Sequence, residues 1–194
     1  MQSPHAAASS PVKRWRVSAA ALTLGVLASM GFAASSLAAP LYGPYNIRVV
    51  HTKKCMDVSG GPGATGDGVG VLQWPCGGPA ATNQQWYFED TGDGLTYFVR
   101  ARHSNKCLEV RGGTGATGNG APLQQWECRG YAQSNQRWYL TRSPIGGETF
   151  NLRAAHSNSC AEVFGASTAD GAPLRQWQCL GASQTNQWWY LTTP

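Results

Sequence analysis

The sequence predicts an all-β body of three four-stranded repeats that share one core about a pseudo-threefold axis. Three observations predict it. One skeleton of residues is written three times, at an interval of about 50 residues. The six cysteines fall two to a copy. No segment keeps a helical apolar period for long, whereas short alternating runs recur between glycine-rich turns. A copy of about 50 residues is too small to bury a good core alone, so the three have to share one.

The repeats run over about 45–90, 97–141 and 150–194. The middle copy carries Arg100, His103, Cys107, Glu109, Val110, Asn119-Gly120, Trp126, Cys128, Asn135-Gln136 and Trp138. Before it stand Arg48, His51, Cys55, Asp57, Val58, Asp67-Gly68, Trp74, Cys76, Asn83-Gln84 and Trp86. After it stand Arg153, His156, Cys160, Glu162, Val163, Asp170-Gly171, Trp177, Cys179, Asn186-Gln187 and Trp189.

Taken in order, residues 1–38 read as a secretory signal. Lys13-Arg14-Trp15-Arg16 is its positive region, Ala19 to Ala34 is mostly apolar, and Ser36-Leu37-Ala38 supplies the small residues that signal peptidase reads. Cleavage after Ala38 is expected, since a cut after Ala39 would leave Pro40 beside it. A retained membrane anchor is the alternative, against which the run is short and rich in alanine. The expected domain is therefore 39–194, secreted into an oxidising space. Of 15 basic residues, Lys13, Arg14 and Arg16 lie in the leader, which leaves 12 against 10 acidic ones. The remainder form no stripe able to follow a phosphate backbone, which argues against nucleic acid as a partner.

Pro40 to Pro44 reads as a lead-in. The first strand of each copy alternates, as in Asn46-Ile47-Arg48-Val49-Val50, Phe98-Val99-Arg100-Ala101 and Asn151-Leu152-Arg153-Ala154. The second surrounds the first cysteine. Asp67-Gly68, Asn119-Gly120 and Asp170-Gly171 then mark turns, because these residue types tolerate positive φ. A third strand leads into Trp74, Trp126 or Trp177. The fourth holds Gln84 to Phe88, Gln136 to Leu140 or Gln187 to Leu191. The second tryptophan of each copy, with Val58, Val110 and Val163, is the natural content of the core.

Within a copy the cysteines stand about 20 residues apart, unlike the close pairs of a zinc site. Even number and repeat symmetry favour one disulfide per copy: Cys55–Cys76, Cys107–Cys128 and Cys160–Cys179. Each such loop is worth roughly 3 kcal/mol in the chain-entropy account. Reduced, buried cysteines are the alternative.

These residues resemble the ricin-type β-trefoil lectin family over essentially the whole mature chain. The resemblance rests on Gln84-x-Trp86, Gln136-x-Trp138 and Gln187-x-Trp189, on the Cys-x-Asp/Glu-Val strands, and on the Trp-x-Cys segments. It implies a β-trefoil that binds sugars through a shallow pocket on each lobe and has no catalytic activity of its own. Physically, a sugar needs a carboxylate to accept hydroxyl hydrogen bonds, an aromatic plate for its apolar face, and an amide that donates and accepts. By position, the first lobe offers Asp57, Trp74 and Asn83, with Gln84 buttressing the aspartate. The second offers Glu109, Trp126, Asn135 and Gln136, and the third Glu162, Trp177, Asn186 and Gln187.

Departures from the family pattern rank the lobes first, second, third. Only Asp57 keeps the usual aspartate; Glu109 and Glu162 are one methylene longer. The glutamine two residues before the plate appears only as Gln124, with Leu72 and Arg175 in its place elsewhere, and Arg175 is placed to pair with Glu162. Plainer roles exist for each residue. The plate tryptophans can pack beside the disulfides, the asparagines can cap turns, and the glutamines can be structural. His51, His103 and His156 lie on separate lobes and read as turn stabilisers, not a metal or general-base set. Trp188 and Tyr131 break the symmetry and read as packing or surface residues.

No cofactor or metal is expected. Glycans or polysaccharides are the expected partners of a monomer with no membrane span after cleavage. The alternative is a trefoil deficient in sugar binding that contacts or inhibits a secreted protein. The acids that recur once per repeat fall on different lobes, so a paired-carboxylate hydrolase site is not indicated, and the serine-hydrolase, zincin and phosphate-loop motifs are missing.

Overall fold

The computed structural model describes residues 41–143 and 147–194. The signal reading of residues 1–38 lies outside them. The described residues form twelve strands and no α-helix. The first lobe contains β1 (Leu41–Val49), β2 (Cys55–Val58), β3 (Val71–Trp74) and β4 (Gln85–Asp90). The second contains β5 (Thr96–Ala101), β6 (Cys107–Val110), β7 (Leu123–Trp126) and β8 (Arg137–Arg142). The third contains β9 (Phe150–Ala154), β10 (Cys160–Val163), β11 (Leu174–Trp177) and β12 (Trp189–Thr192).

The first and fourth strands of the lobes close a ring. β1 pairs with β4, β4 with β5, β5 with β8, β8 with β9, β9 with β12, and β12 returns to β1. Closure removes the exposed edges that an open sheet would leave. The second and third strands form three hairpins, β2–β3, β6–β7 and β10–β11. Single bridges join these hairpins in a triangle: Gly70 to Gln124, Leu72 to Pro173, and Pro122 to Arg175.

Several strand boundaries differ from the sequence reading. β1 starts at Leu41 and not at Asn46, because it pairs along β4 across a bulge between Tyr42 and Tyr45. Each fourth strand starts later, because a single 3-10 turn precedes it: Thr82–Gln84, Ser134–Gln136 and Thr185–Gln187. Those turns lift the Asn-Gln pair out of the ladder and aim it at the hairpin.

The core is the threefold set the repeats imply. Trp86, Trp138 and Trp189 are fully buried, as are Val58, Val110 and Val163. Each of these three indole N–H groups donates to a hairpin carbonyl: Trp86 to Met56 at 3.0 Å, Trp138 to Leu108 at 3.0 Å, and Trp189 to Ala161 at 3.1 Å. These three bonds join barrel strand to hairpin in every lobe. The disulfides Cys55–Cys76, Cys107–Cys128 and Cys160–Cys179 form as expected, each inside one lobe.

Candidate functional site

Three shallow hollows open on the outer side of the hairpins. In the first, of about 470 Å³, Asp57, Trp74 and Asn83 meet, with Gln84 behind them. Asp57 Oδ2 accepts from Asn83 Nδ2 at 2.9 Å and from Gln84 Nε2 at 2.8 Å. Oδ1 accepts nothing from the described residues, so it is a charged acceptor this hollow has to offer. Burial pushes the Asp57 carboxyl above its ordinary range, and the Gln84 and Asn83 bonds pull the other way. A carboxylate held half-desolvated gains more from a ligand hydroxyl than one already in water. Trp74 stands beside it, 46% exposed.

The glutamines prove to be positioning groups. Gln84 donates to Asp57 and to Pro75 O and accepts from the Gly77 N–H. Gln136 donates to Glu109 and Glu127 O and accepts from Arg129 N–H. Gln187 donates to Glu162 and Gln178 O and accepts from Leu180 N–H. Their amides are spent within the protein. The asparagines make no capping bond to the 3-10 turns they occupy. They reach back instead to the second strand, at Val58 O, Val110 O and Val163 O, each at 3.0 Å.

The second hollow, of about 440 Å³, brings Glu109, Gln124, Trp126 and Asn135 together. The extra methylene changes the bonding. Glu109 Oε1 accepts from Gln124 Nε2 at 2.7 Å, and Oε2 accepts from Gln136 Nε2 at 2.8 Å. Both oxygens are engaged, where Asp57 keeps one open.

The third hollow, of about 310 Å³, gathers Glu162, Trp177 and Asn186. Glu162 Oε2 accepts from Gln187 at 2.9 Å and distantly from Asn186 at 3.5 Å. Burial raises its carboxyl too, against those two bonds. The ion pair expected between Arg175 and Glu162 does not form. The two face each other across the β10–β11 ladder, but the Arg175 guanidinium lies 4.0 Å over the Phe164 ring. Phe164 in turn packs against Trp177, centroids 6.5 Å apart. An apolar ring therefore takes up room that the first lobe leaves to solvent.

The plates rest on neighbouring lobes, which the sequence reading missed. A Cβ at Gly171 would lie 3.5 Å from the Trp74 ring; at Gly68, 3.6 Å from Trp126; at Gly120, 3.7 Å from Trp177. These glycines have φ of 78°, 80° and 87°, which accounts for their place in the Asp/Asn-Gly turns. Gln73, Gln125 and Gln176, just before the plates, tie the same loops. Gln73 donates to Ser167 O and Ala169 O, Gln125 to Ala64 O and Gly66 O, and Gln176 to Ala116 O and Gly118 O. The histidines serve the same lacing: Nε2 of His51, His103 and His156 lies 3.0 to 3.1 Å from Ser167 O, Ala64 O and Ala116 O. A carbonyl only accepts, so Nε2 carries the proton. The signal was legible as a Gln-Trp dipeptide repeated in register, though nothing local shows that its partner lies on another lobe.

The family model described as Ricin-type beta-trefoil lectin domain matches residues 95–194, and that described as Ricin-type beta-trefoil lectin domain-like matches 37–126. Compared with curated proteins, the sequence matches none. Among solved structures, the designed threefold-symmetric protein ThreeFoil is 35% identical with a TM-score of 0.68, over 79% of this chain and 100% of its own. The exo-β-1,3-galactanase 1,3Gal43A of Clostridium thermocellum is 27% identical with a TM-score of 0.68, over 78% of this chain and only 30% of its own. The Macrolepiota procera ricin B-like lectin, solved with lactose, shares the fold at 20% identity and a TM-score of 0.64, over 81% of this chain and 98% of its own.

Proposed function

The chain belongs to the ricin-type β-trefoil lectin family, and from that premise we propose that it is a secreted, non-catalytic module binding glycans or polysaccharides, with the first hollow as its principal site. The observation that carries the reading is the Asp57–Trp74 pair: an open carboxylate oxygen, braced through its partner oxygen, beside an exposed indole. The acid accepts sugar hydroxyls while the ring covers the C–H face. Asn83, whose Nδ2 is spent on Asp57 and Val58 O, keeps its carbonyl oxygen for a further hydroxyl.

Absence of hydrolysis is supported by the lining: Asp57 is the one ionisable side chain there, and glycoside cleavage needs two. Secretion is supported by three disulfides, which persist in oxidising compartments. A single shallow site of this kind is worth about −4 kcal/mol, a millimolar Kd. Several hollows engaged on one polymer gain roughly 10² to 10⁴ by avidity.

The test is a titration of tryptophan fluorescence with lactose, other galactosides and xylan fragments. Asp57→Asn is expected to weaken binding about tenfold or more, the worth of a charge-assisted hydrogen bond, while Glu162→Gln leaves it unchanged. Silence across a broad glycan panel would overturn the reading and favour a trefoil that contacts a protein.

A further inference from the structure

The rims of the three hollows differ where the frame is the same. The residue after the second-strand valine is Ser59, Arg111 or Phe164, and the residue after the second cysteine is Gly77, Arg129 or Leu180. All six line their own hollows. The rim is neutral in the first lobe, doubly cationic in the second and apolar in the third. The two arginines are held differently. Arg111 Nε donates to Gln124 Oε1 at 2.7 Å and its Nη2 to Gly68 O at 2.9 Å, which leaves Nη1 without a partner among the described residues. Arg129 lies over the Trp126 ring, 5.4 Å from its centroid, with its guanidinium exposed.

Donors and acceptors are out of balance there. Both Glu109 oxygens are bound to amides, and Gln124 Oε1 is taken by Arg111. The wholly unbonded carboxylate oxygen of the first hollow therefore has no counterpart on the acid of the second, and guanidinium N–H groups are in surplus. Arg129 also stands over one face of the Trp126 ring. A ligand suited to this hollow brings acceptors and negative charge. We infer that the second hollow takes an anionic saccharide, one bearing a carboxylate or a sulfate, with Arg111 and Arg129 as the residues that set that specificity. Guanidinium groups bind both anions through paired N–H bonds. The inference rests on the sugar-binding reading of the hollows and names the ligand class of one of them.

The experiment follows the indole N–H resonances of Trp74, Trp126 and Trp177 in the whole protein during titration with trigalacturonate, galactose 6-sulfate and neutral galactose. Trp126 is expected to respond to an anionic probe at concentrations roughly tenfold below those needed for galactose. Arg129→Gln should cancel most of that preference and leave the Trp74 response to galactose intact. Arg111→Gln, which also loosens Gln124, should act in the same direction. A response to one anionic probe alone would support the inference and identify the group. It is overturned if neither probe moves Trp126 more readily than galactose, or if Arg129→Gln and Arg111→Gln both leave the preference in place. A Trp74 resonance indifferent to galactose while Trp126 answers the anionic probes would sink the first-hollow reading and leave this one standing.

Discussion

The first and third hollows are the same construction with opposite use of space. Each has a carboxylate braced by a glutamine and an asparagine, and each has an indole resting on a glycine turn from the lobe before it. In the first, Ser59 and Gly77 leave the indole open. In the third, Phe164 and Leu180 fill the rim, and the hollow shrinks from about 470 to about 310 Å³. Repetition thus fixes the frame, while residues just outside the repeated skeleton decide what each frame can hold.

The largest expected effect erases the contrast. Trp86→Ala empties a core position that all lobes share and should cost about 3–5 kcal/mol. Denaturant unfolding should show that loss, and the tryptophan response to sugar should vanish with it. Next comes a change that separates frame from rim. Gly171→Ala forces a side chain into left-handed backbone at φ 78°, which costs about 1–2 kcal/mol. Since Trp74 rests on that turn, the substitution on the third lobe should weaken sugar binding on the first. Titration would show this, with Gly147→Ala as a control, because it carries the same left-handed strain at φ 77° while a Cβ there meets none of the described residues.

The smallest effects are those of pH. Burial holds the Asp57 carboxyl above its unfolded value, so the folded state favours its protonated form. Its contribution to stability is complete below the unfolded pKa and is lost as pH rises through the folded one. Asp57→Asn should therefore be as stable as the parent at neutral pH, or more so, although it is expected to bind sugar poorly. Glu162→Gln should behave alike in stability. His103 and His156 run the other way. Burial depresses both, against the carbonyl each bonds, so the folded state disfavours their protonation. Their contribution is complete above pH 6.5, the ordinary histidine value, and is lost as pH falls towards the folded pKa. Thermal melts across this range should decline on acidification, and His103→Gln with His156→Gln should flatten the decline.

Much of this was legible in the residues. The threefold registration gave the twelve strands, the disulfides and the core tryptophans, because period and burial are local consequences of spacing. It also brought each acid, indole and amide into one hollow. What escaped were relations between lobes. Nothing near Gln73 says that its amide will hold Ser167 and Ala169, and nothing near Gly171 says that an indole will settle on it. Arg175 misled for a related reason. Its place opposite Glu162 was sound, but a flexible side chain can choose between a buried acid and a nearby ring, and Phe164 offers the ring. The bonding of Glu109 likewise turned on one methylene, whose reach no pattern of residue types expresses.

The lacing runs in one sense around the axis: the first lobe clasps the third, the second clasps the first, and the third clasps the second. Because β12 pairs with β1, the twelve described strands close a wheel in which no lobe is a privileged spoke. A gene rewritten to begin at the second repeat, with the end of β12 joined to the start of β1 by a short linker, should yield the same wheel and the same three rims. A single excised spoke, with its disulfide intact, would have neither a neighbour to grip nor one to grip it.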